Sequence, residues 1–168
     1  EIARLGQGVD ATGEFAPEAL ERTRKVLTKY VDLMQQERVQ DVRMVATSAT
    51  RDARNKDEFF AMTAELLGQI RPGACAQVIT GEEEAKLSFI GAVAYLSKEQ
   101  GPFCVIDLGG GSTEFVVGVA GGQLLGSYSS QMGCVRISER IMQSDPPTPE
   151  EVEAARQHVA ERLAEVQE

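Results

Sequence analysis

The sequence is poor in several features that would direct it toward particular functions. Its 168 residues contain no tryptophan and a single histidine, and aromatic residues make up 5% of the chain. Basic residues are also in the minority, 17 against 26 acidic ones, which gives a formal net charge of −9. General nucleic-acid binding needs a basic face, so this charge balance argues against a nucleic-acid partner.

Long apolar segments are missing as well. The longest apolar run, Phe89 to Leu96, is far shorter than the roughly 20 residues that a helix needs to cross a bilayer. No basic and then apolar stretch typical of a secretory leader opens the sequence. We therefore expect neither a membrane partner nor secretion.

Cysteine is scarce, and its three occurrences are far apart, at Cys75, Cys104 and Cys134. Cys75 and Cys104 fall in predicted strands, so we interpret them as small buried hydrophobic residues rather than metal ligands or disulfide partners. This interpretation favours a reduced, cytoplasmic setting.

The first part of the chain alternates strands and helices. Strands are predicted at 2–5, 42–47 and 74–80, and helices at 17–38, 56–67 and 81–97. The segments 6–15 and 48–55 are expected to be loops. This alternation is typical of an α/β layer with a largely parallel sheet.

The pattern changes near Gly101, where we expect a domain boundary. Short strands at 103–107, 113–119 and 123–129 are separated by glycine turns, which is typical of an antiparallel meander. A helix is predicted at 135–142, and Thr148, Pro149 and Glu151 predict the capped start of a last helix. Because the chain opens within a predicted strand and closes within a helical pattern at Glu168, we expect a piece of a longer protein.

The segment "DLGGGSTE", residues 107–114, allows two interpretations. It lacks the lysine of a Walker loop, and a strand rather than a helix follows it. It is therefore either a plain glycine-rich hairpin with two solvated acids, or a turn whose backbone N–H groups surround phosphate oxygens. In the second interpretation Asp107 and Glu114 could hold a hard cation that bridges to phosphate.

The acidic segment "TGEEEA", residues 80–85, also has two interpretations. Thr80 and Glu83 form a predicted capping box, and acids in a first helical turn complement the helix dipole. Glu84 is explained less well by capping, because it shares a helix face with small or polar residues and could border a cleft. The opposite stripe is expected to be core and consists of Leu87, Ile90 and Ala94.

The segment "SATRDARN", residues 48–55, follows a predicted parallel strand. Ligands of open α/β sheets bind at the carboxyl ends of such strands, and Arg51 and Arg54 could grip a phosphate there. The alternative is an ordinary solvated loop.

Four stretches together carry a family resemblance: "VATSATRDARN", "VITGEEEAKLSFIGAV", "VIDLGGGSTEFVVG" and "SQMGCVRISERIMQSDPPT". In this order and spacing they resemble the exopolyphosphatase / guanosine pentaphosphate phosphohydrolase (Ppx/GppA) family of the actin–sugar kinase–Hsp70 superfamily. The resemblance extends from Leu5 to about Pro149. The family's N-terminal phosphate loop and the later glycine-rich segment of its second lobe have no counterpart in these residues.

The resemblance implies an α/β fold of ribonuclease-H-like, actin-like ATPase lobes, of which parts of two are present. Residues 1–101 would be the C-terminal part of the first lobe. Residues 102–168 would be the N-terminal part of the second lobe, with the glycine-rich phosphate hairpin.

The resemblance also implies roles for particular residues. The catalytic glutamate falls on Glu84, and the metal, Mg²⁺, would lie near Asp107 and Glu114. The phosphate-binding residues would be Gly109, Gly110, Gly111, Ser112, Arg51 and Asn55.

The function expected from the resemblance is that of an exopolyphosphatase. In this reaction, water activated by a glutamate hydrolyses the terminal phosphate of inorganic polyphosphate in a metal-dependent manner. The closest alternative is the same hydrolysis of guanosine pentaphosphate, and a kinase or a non-catalytic phosphate- or nucleotide-sensing module stays open. The complete protein is expected to be a cytoplasmic homodimer.

Overall fold

The computed structural model describes residues 1–97 and 99–166. Its helices are α1 (Val9–Thr12), α2 (Pro17–Gln36), α3 (Ser48–Asp52), α4 (Lys56–Leu67), α5 (Gly81–Val93), α6 (Cys134–Arg140) and α7 (Pro149–Ala164). Its strands are β1 (Met44–Ala46), β2 (Ala76–Val78), β3 (Phe103–Leu108), β4 (Thr113–Val119) and β5 (Gln123–Ser130). Within this part of the chain, no helix is both long and apolar enough to cross a membrane.

The packing divides the chain into two compact units, Glu1–Ile79 and Thr80–Glu168. The predicted boundary near Gly101 would separate α5 from β4, although Phe89 of α5 is fully buried in one core cluster with Val116 of β4. The boundary between the two compact units therefore lies before α5 in the sequence. The assignment of the segments to two actin-like lobes stays a prediction.

The first unit is built around the short parallel pair of β1 and β2, with Val45 opposite Gln77. Helices α2 and α4 supply half of its buried core residues, because their apolar residues recur at helical spacing. The largest buried side chains of this core are Phe15, Phe59, Leu67 and Val31. The two strands pair in parallel and are connected through α3 and α4, which confirms the predicted α/β layer.

The start of the first unit differs from the prediction. The predicted strand at 2–5 is absent, because Arg4 adopts a left-handed backbone with φ of 51°, which an extended strand does not permit. The predicted loop at 6–15 contains the one-turn helix α1, flanked by Gly8 and Gly13 with φ of 78° and 71°. These left-handed angles suit glycine, which has no Cβ to clash.

Three further predictions of secondary structure were wrong. The loop at 48–55 contains α3, in which Thr50 is buried. The predicted third helix ends at Val93 rather than at residue 97. The last helical pattern was expected to continue to Glu168, but α7 ends at Ala164, with Glu165 as its C-cap. Residues 167 and 168 lie outside the described residues.

The second unit contains the predicted antiparallel meander, with strand order β3-β4-β5. Its strands match the predicted ranges to within one residue, which confirms the prediction. Helix α5 covers one face of the sheet through Phe89. The ring lies so close to Gly118 of β4 that a Cβ placed there would be 2.7 Å from its Cζ.

The buried face of α5 was predicted wrongly. Leu87 and Ile90 are 40% and 41% exposed, and Ala94 is exposed too. The buried residues are instead Ala85, Phe89 and Val93. Because apolar residues occupy both sides of this helix, its periodicity does not indicate which side meets the sheet.

The prediction for two cysteines was also wrong, since Cys75 and Cys104 are exposed. Cys75 directly precedes β2, between the buried residues Ala74 and Ala76. Cys104 lies on β3, whose residues alternate between half-buried and exposed, and it belongs to the exposed set. Alternation along an extended chain places both thiols on the solvent side.

The predicted cap of the last helix is confirmed. Oγ1 of Thr148 accepts the backbone N–H of Glu151 at 3.2 Å, and the Glu151 carboxylate accepts the Thr148 N–H at 2.9 Å. The other carboxylate oxygen accepts hydrogen bonds from Gln143 and Ser144. These donors, the Thr148 N–H first among them, lower the pKa of Glu151 below its usual value.

Candidate active site

Helix α5 begins at a cap that the sequence predicts. Oγ1 of Thr80 accepts the backbone N–H of Glu83 at 3.1 Å, which satisfies one of the free donors of the first helical turn. With the cap and the buried Phe89 both fixed, the rotation of the helix is fixed as well. Glu84 and Ser88, one turn apart, therefore lie on the same flank of the helix, and both are half-buried.

Ser88 ties this flank of α5 to the sheet. Its hydroxyl donates a hydrogen bond of 2.6 Å to Oδ2 of Asp107, near the end of β3. A short O–H···O⁻ hydrogen bond of this kind is among the stronger ones in proteins. Glu84 lies one turn closer to the N-terminus of α5 than this contact.

A row of polar residues crosses the sheet beside this contact. Asp107 of β3 is the direct cross-strand partner of Glu114 on β4, which in turn is opposite Ser129 on β5. Direct partners point to the same face, with Cβ atoms about 4.5–5.5 Å apart. Glu114 is only 1% exposed, and its Oε1 accepts the Ser129 hydroxyl at 2.9 Å.

The glycine turn between β3 and β4 is held from one side by the start of α6. The carbonyl of Gly109 accepts the N–H of Cys134 at 3.0 Å, and the carbonyl of Gly110 accepts the N–H of Val135 at 3.0 Å. The contact is so close that a Cβ on Gly133 would overlap the Gly110 carbonyl. The carbonyl groups of the turn therefore face α6.

Three N–H groups of the same turn have no acceptor in the described part of the chain, whereas that of Gly109 donates to the Ser112 carbonyl at 2.9 Å. Among residues 1–97 and 99–166, no hydrogen bond is donated by the N–H of Gly110, Gly111 or Ser112. None of the three consecutive glycines has a positive φ, so their value lies in close approach rather than in an unusual backbone. Adjacent free N–H groups of this kind form a concavity that can bind an anion.

The carboxylates fit a hard cation. Asp107 and Glu114 share one face of the sheet, and a buried carboxylate beside a second one needs a compensating charge. Mg²⁺ usually binds one or two carboxylates and completes its shell with waters and substrate phosphates. In the described ranges no group of three or more carboxylate, cysteine or histidine side chains is arranged to hold a metal ion, so any cation here would have two carboxylate ligands.

The remaining predicted residues belong to the first unit. Nη1 of Arg51, on α3, donates to the carbonyl of Ile79 at 2.8 Å. The Asn55 amide forms two hydrogen bonds with the backbone of Phe15, accepting its N–H at 2.8 Å and donating to its carbonyl at 3.1 Å. Asn55 thus holds the segment before α2, and its phosphate-binding role stays a prediction. Arg54 is paired with Glu14 at 3.2 Å.

Sequence reasoning missed three residues that touch the site. Ser88 and Ser129 hydrogen-bond the two carboxylates, and Arg136 of α6 contacts the glycine turn. A signal existed for Ser129, because the predicted hairpins already fix which residues are opposite Glu114. No local pattern indicates the contact of Arg136.

The described residues thus combine a mixed α/β fold with a glycine turn between two carboxylates. The sequence model of the Ppx/GppA phosphatase family matches residues 1–168. The chain belongs to this family, which is part of the actin–sugar kinase–Hsp70 superfamily.

The chain is similar to a curated relative called Exopolyphosphatase 2, from Mycobacterium tuberculosis. The two are 59% identical over 162 residues, which is 96% of this chain and 50% of the relative. The chain thus spans about half the length of the curated relatives that it matches.

Solved structures give the same picture. A crystal structure of an exopolyphosphatase-like protein matches 98% of this chain and 52% of its own length, with a TM-score of 0.85 and 40% identity. The crystal structure of the Aquifex aeolicus member of the Ppx/GppA family matches 99% of this chain and 52% of its own length, with a TM-score of 0.70 and 36% identity. The fold class expected from the sequence is confirmed by these matches.

Proposed function

We propose that the protein that contains these residues is an exopolyphosphatase, which hydrolyses the terminal phosphoanhydride bond of inorganic polyphosphate. The observation that carries the proposal is the glycine turn between Asp107 and Glu114, in which three N–H groups have no acceptor among residues 1–97 and 99–166. The name of the relative from Mycobacterium tuberculosis supports the same substrate.

The turn would act on the charge of the reacting phosphate. Backbone N–H groups that are already oriented stabilise negative charge on the transferring oxygens without any rearrangement. Phosphoryl transfer demands mainly such stabilisation together with in-line positioning of the attacking water. The N–H groups of Gly110, Gly111 and Ser112 would thus bind the terminal phosphate. The phosphate-binding roles of Gly109 and Arg51 stay predictions from the family resemblance.

Glu84 is the proposed general base. Its position one helical turn before Ser88, which hydrogen-bonds Asp107, supports a role beside the proposed cation-binding pair. A positioned base that takes a proton from the attacking water typically contributes about 10²–10⁴-fold to the rate.

A divalent cation completes the proposed chemistry. Asp107 and Glu114 would hold Mg²⁺, which supplies positive charge against the phosphate oxygens when bound. Such a cation is needed on charge grounds, since a chain of net charge −9 repels a polyanion. We further propose that the complete protein is a homodimer in the cytoplasm.

Guanosine pentaphosphate is the second candidate substrate. Amide N–H groups bind phosphate oxygens, and the end of a polyphosphate chain and the 5′-phosphates of this nucleotide both present such oxygens. The glycine turn therefore supports either substrate, and comparing turnover of the two at equal concentration separates them.

The test compares Glu84→Gln with Glu83→Gln in the natural polypeptide that contains these residues. Glu84→Gln should fold and bind polyphosphate, but release phosphate about 10²-fold more slowly or worse, because an amide cannot accept the proton. Glu83→Gln removes the same charge from the same helical turn and should keep most of the activity.

Each outcome of this test supports one interpretation of the acidic residues or of the protein's function. Equal loss in both variants would mean that the acids act only through capping and the helix dipole. Tight binding of polyphosphate without any phosphate release in the parent protein would refute the enzyme and favour a sensing module.

A further inference from the structure

We infer that Arg136 is a positioning residue that aims one N–H of the phosphate-binding turn, and this inference rests on the proposed function. Its Nε donates a hydrogen bond of 2.9 Å to the carbonyl of Gly111. The same guanidinium donates from Nη2 to Oε1 of Gln131 at 3.3 Å. The planar guanidinium is thus held by two hydrogen bonds, one from Nε and one from Nη2, and the ammonium of a lysine does not have this planar geometry.

The consequence follows from the geometry of the peptide group. The carbonyl of one residue and the N–H of the next lie in one plane and point in opposite directions when the bond is trans. Holding the Gly111 carbonyl on the side of α6 therefore turns the Ser112 N–H to the other side. That N–H is one of the three without an acceptor in the described part of the chain.

The other two free N–H groups are aimed by backbone alone. The Gly109 carbonyl is held by the N–H of Cys134, which sets the N–H of Gly110. The Gly110 carbonyl is held by α6 in the same way and sets the N–H of Gly111. Of the three peptide groups, the one between Gly111 and Ser112 is the one for which the structure gives a side-chain hydrogen bond to the carbonyl. This peptide group is therefore the one that a substitution at position 136 should release.

The experiment follows the backbone amides of the turn by NMR in the natural polypeptide that contains these residues. Inorganic phosphate is titrated in a buffer with Mg²⁺, and Arg136→Lys, Arg136→Gln and the parent are compared. Arg140→Gln serves as the matched control, because it removes one positive charge from the other end of the same helix.

In the parent, phosphate should shift the Gly110, Gly111 and Ser112 resonances. Both Arg136 variants should lose most of the Ser112 shift and keep that of Gly110, with the melting temperature close to that of Arg140→Gln. The catalytic efficiency on polyphosphate should fall about 10- to 100-fold in both, which is the range for losing one charged hydrogen bond or misplacing one group. Arg140→Gln should match the parent.

Two results would overturn the inference. If Arg136→Lys keeps the Ser112 response and Arg136→Gln loses it, the residue acts through its charge and not by positioning. If the Gly110 and Ser112 shifts fall equally, the effect is general and no single peptide group is aimed.

Failure of the proposed function has a different signature. A parent turn that does not respond to phosphate would refute the phosphate-binding role. The inference is then decided by the phosphate-free spectra, in which the Ser112 resonance must move in both Arg136 variants and not in Arg140→Gln. Should the Arg136 variants fail to fold, Gln131→Ala decides, with an expected loss of about threefold in phosphate affinity confined to the Ser112 response.

Discussion

Neutralising either carboxylate of the cross-strand pair should abolish the stabilisation of the protein by Mg²⁺. Asp107 and Glu114 are direct partners on one face of the sheet, and each has a hydroxyl donor, Ser88 and Ser129 respectively. Asp107→Asn and Glu114→Gln preserve the shapes of the side chains and an oxygen that can accept these hydrogen bonds. The substitutions therefore remove charge while disturbing the packing little.

The expected magnitudes separate the effect of the cation from that of the substitution. A cation that binds only the folded state adds about 2.7 kcal/mol to the free energy of unfolding at a concentration of one hundred times Kd. For a domain of roughly 150–250 residues this raises the melting temperature by about 5–11 °C. Replacing the charged acceptor of the Ser129 hydroxyl by an amide costs only about 1 kcal/mol, which relief of the repulsion by Asp107 partly offsets.

The assay is thermal unfolding with saturating Mg²⁺ and with EDTA. The parent should show the full difference between the two conditions, and both variants should show almost none. Glu82→Gln, an exposed acid in the first turn of α5, removes equal charge and should keep the difference. A shift that persists in both site variants would refute the cation assignment, whatever happens to turnover.

Three further predictions concern residues outside the cation pair. Phe89→Ala empties the centre of the second core cluster and should lower the free energy of unfolding by about 3–5 kcal/mol in denaturant titration. Asn55→Ala breaks both hydrogen bonds to the Phe15 backbone and should cost about 1–3 kcal/mol; an unchanged midpoint would contradict this structural role. The Thr148 N–H lowers the pKa of Glu151. Glu151→Gln should therefore reduce the free energy of unfolding by its full amount above the ordinary pKa of 4.5, and this difference from the parent should disappear as the pH falls through the lowered pKa of the folded protein. Acid unfolding curves that stay separated at low pH would contradict it.

The meander of the second unit was predictable because its signals are local. Alternating residues on either side of Gly109 to Gly111 fix two strands and the turn between them. The register then follows, so Asp107 opposite Glu114 was implied by the sequence alone. The cap of α5 by Thr80 is equally local, since the oxygen and the N–H that it accepts are three residues apart.

The elements that were missed depend on partners far along the chain. The segment at 2–5 has the composition of a strand, but the backbone turns at Arg4 and none of the strands in the described ranges pairs with the segment. The two sides of α5 are similarly apolar, and only contact with Val116 and Gly118 decides for Phe89 over Leu87.

The sequence pointed to Asp107 and Glu114, whose roles stay predictions, and did not indicate the side chains that hydrogen-bond the site. Glycines beside Asp107 and Glu114 have a local chemical meaning that sequence can carry. The roles of Ser88 and Arg136 arise only when α5 packs on the sheet and α6 on the glycine turn, because their hydrogen-bond acceptors are 19 and 25 residues away in the sequence. Serine and arginine are common surface residues, so composition gives no sign of such contacts.

The close contact between Phe89 and Gly118 links the evolutionary fates of two positions 29 residues apart. A methyl group at position 118 would also lie 2.6 Å from the Gln123 carbonyl oxygen. Replacing Phe89 by a smaller residue alone therefore does not make room for it. Drift toward alanine therefore requires a shorter side chain at position 89 and a shift of β5 together. Two simultaneous changes are rare, which makes this glycine hard to replace although it has no part in the chemistry.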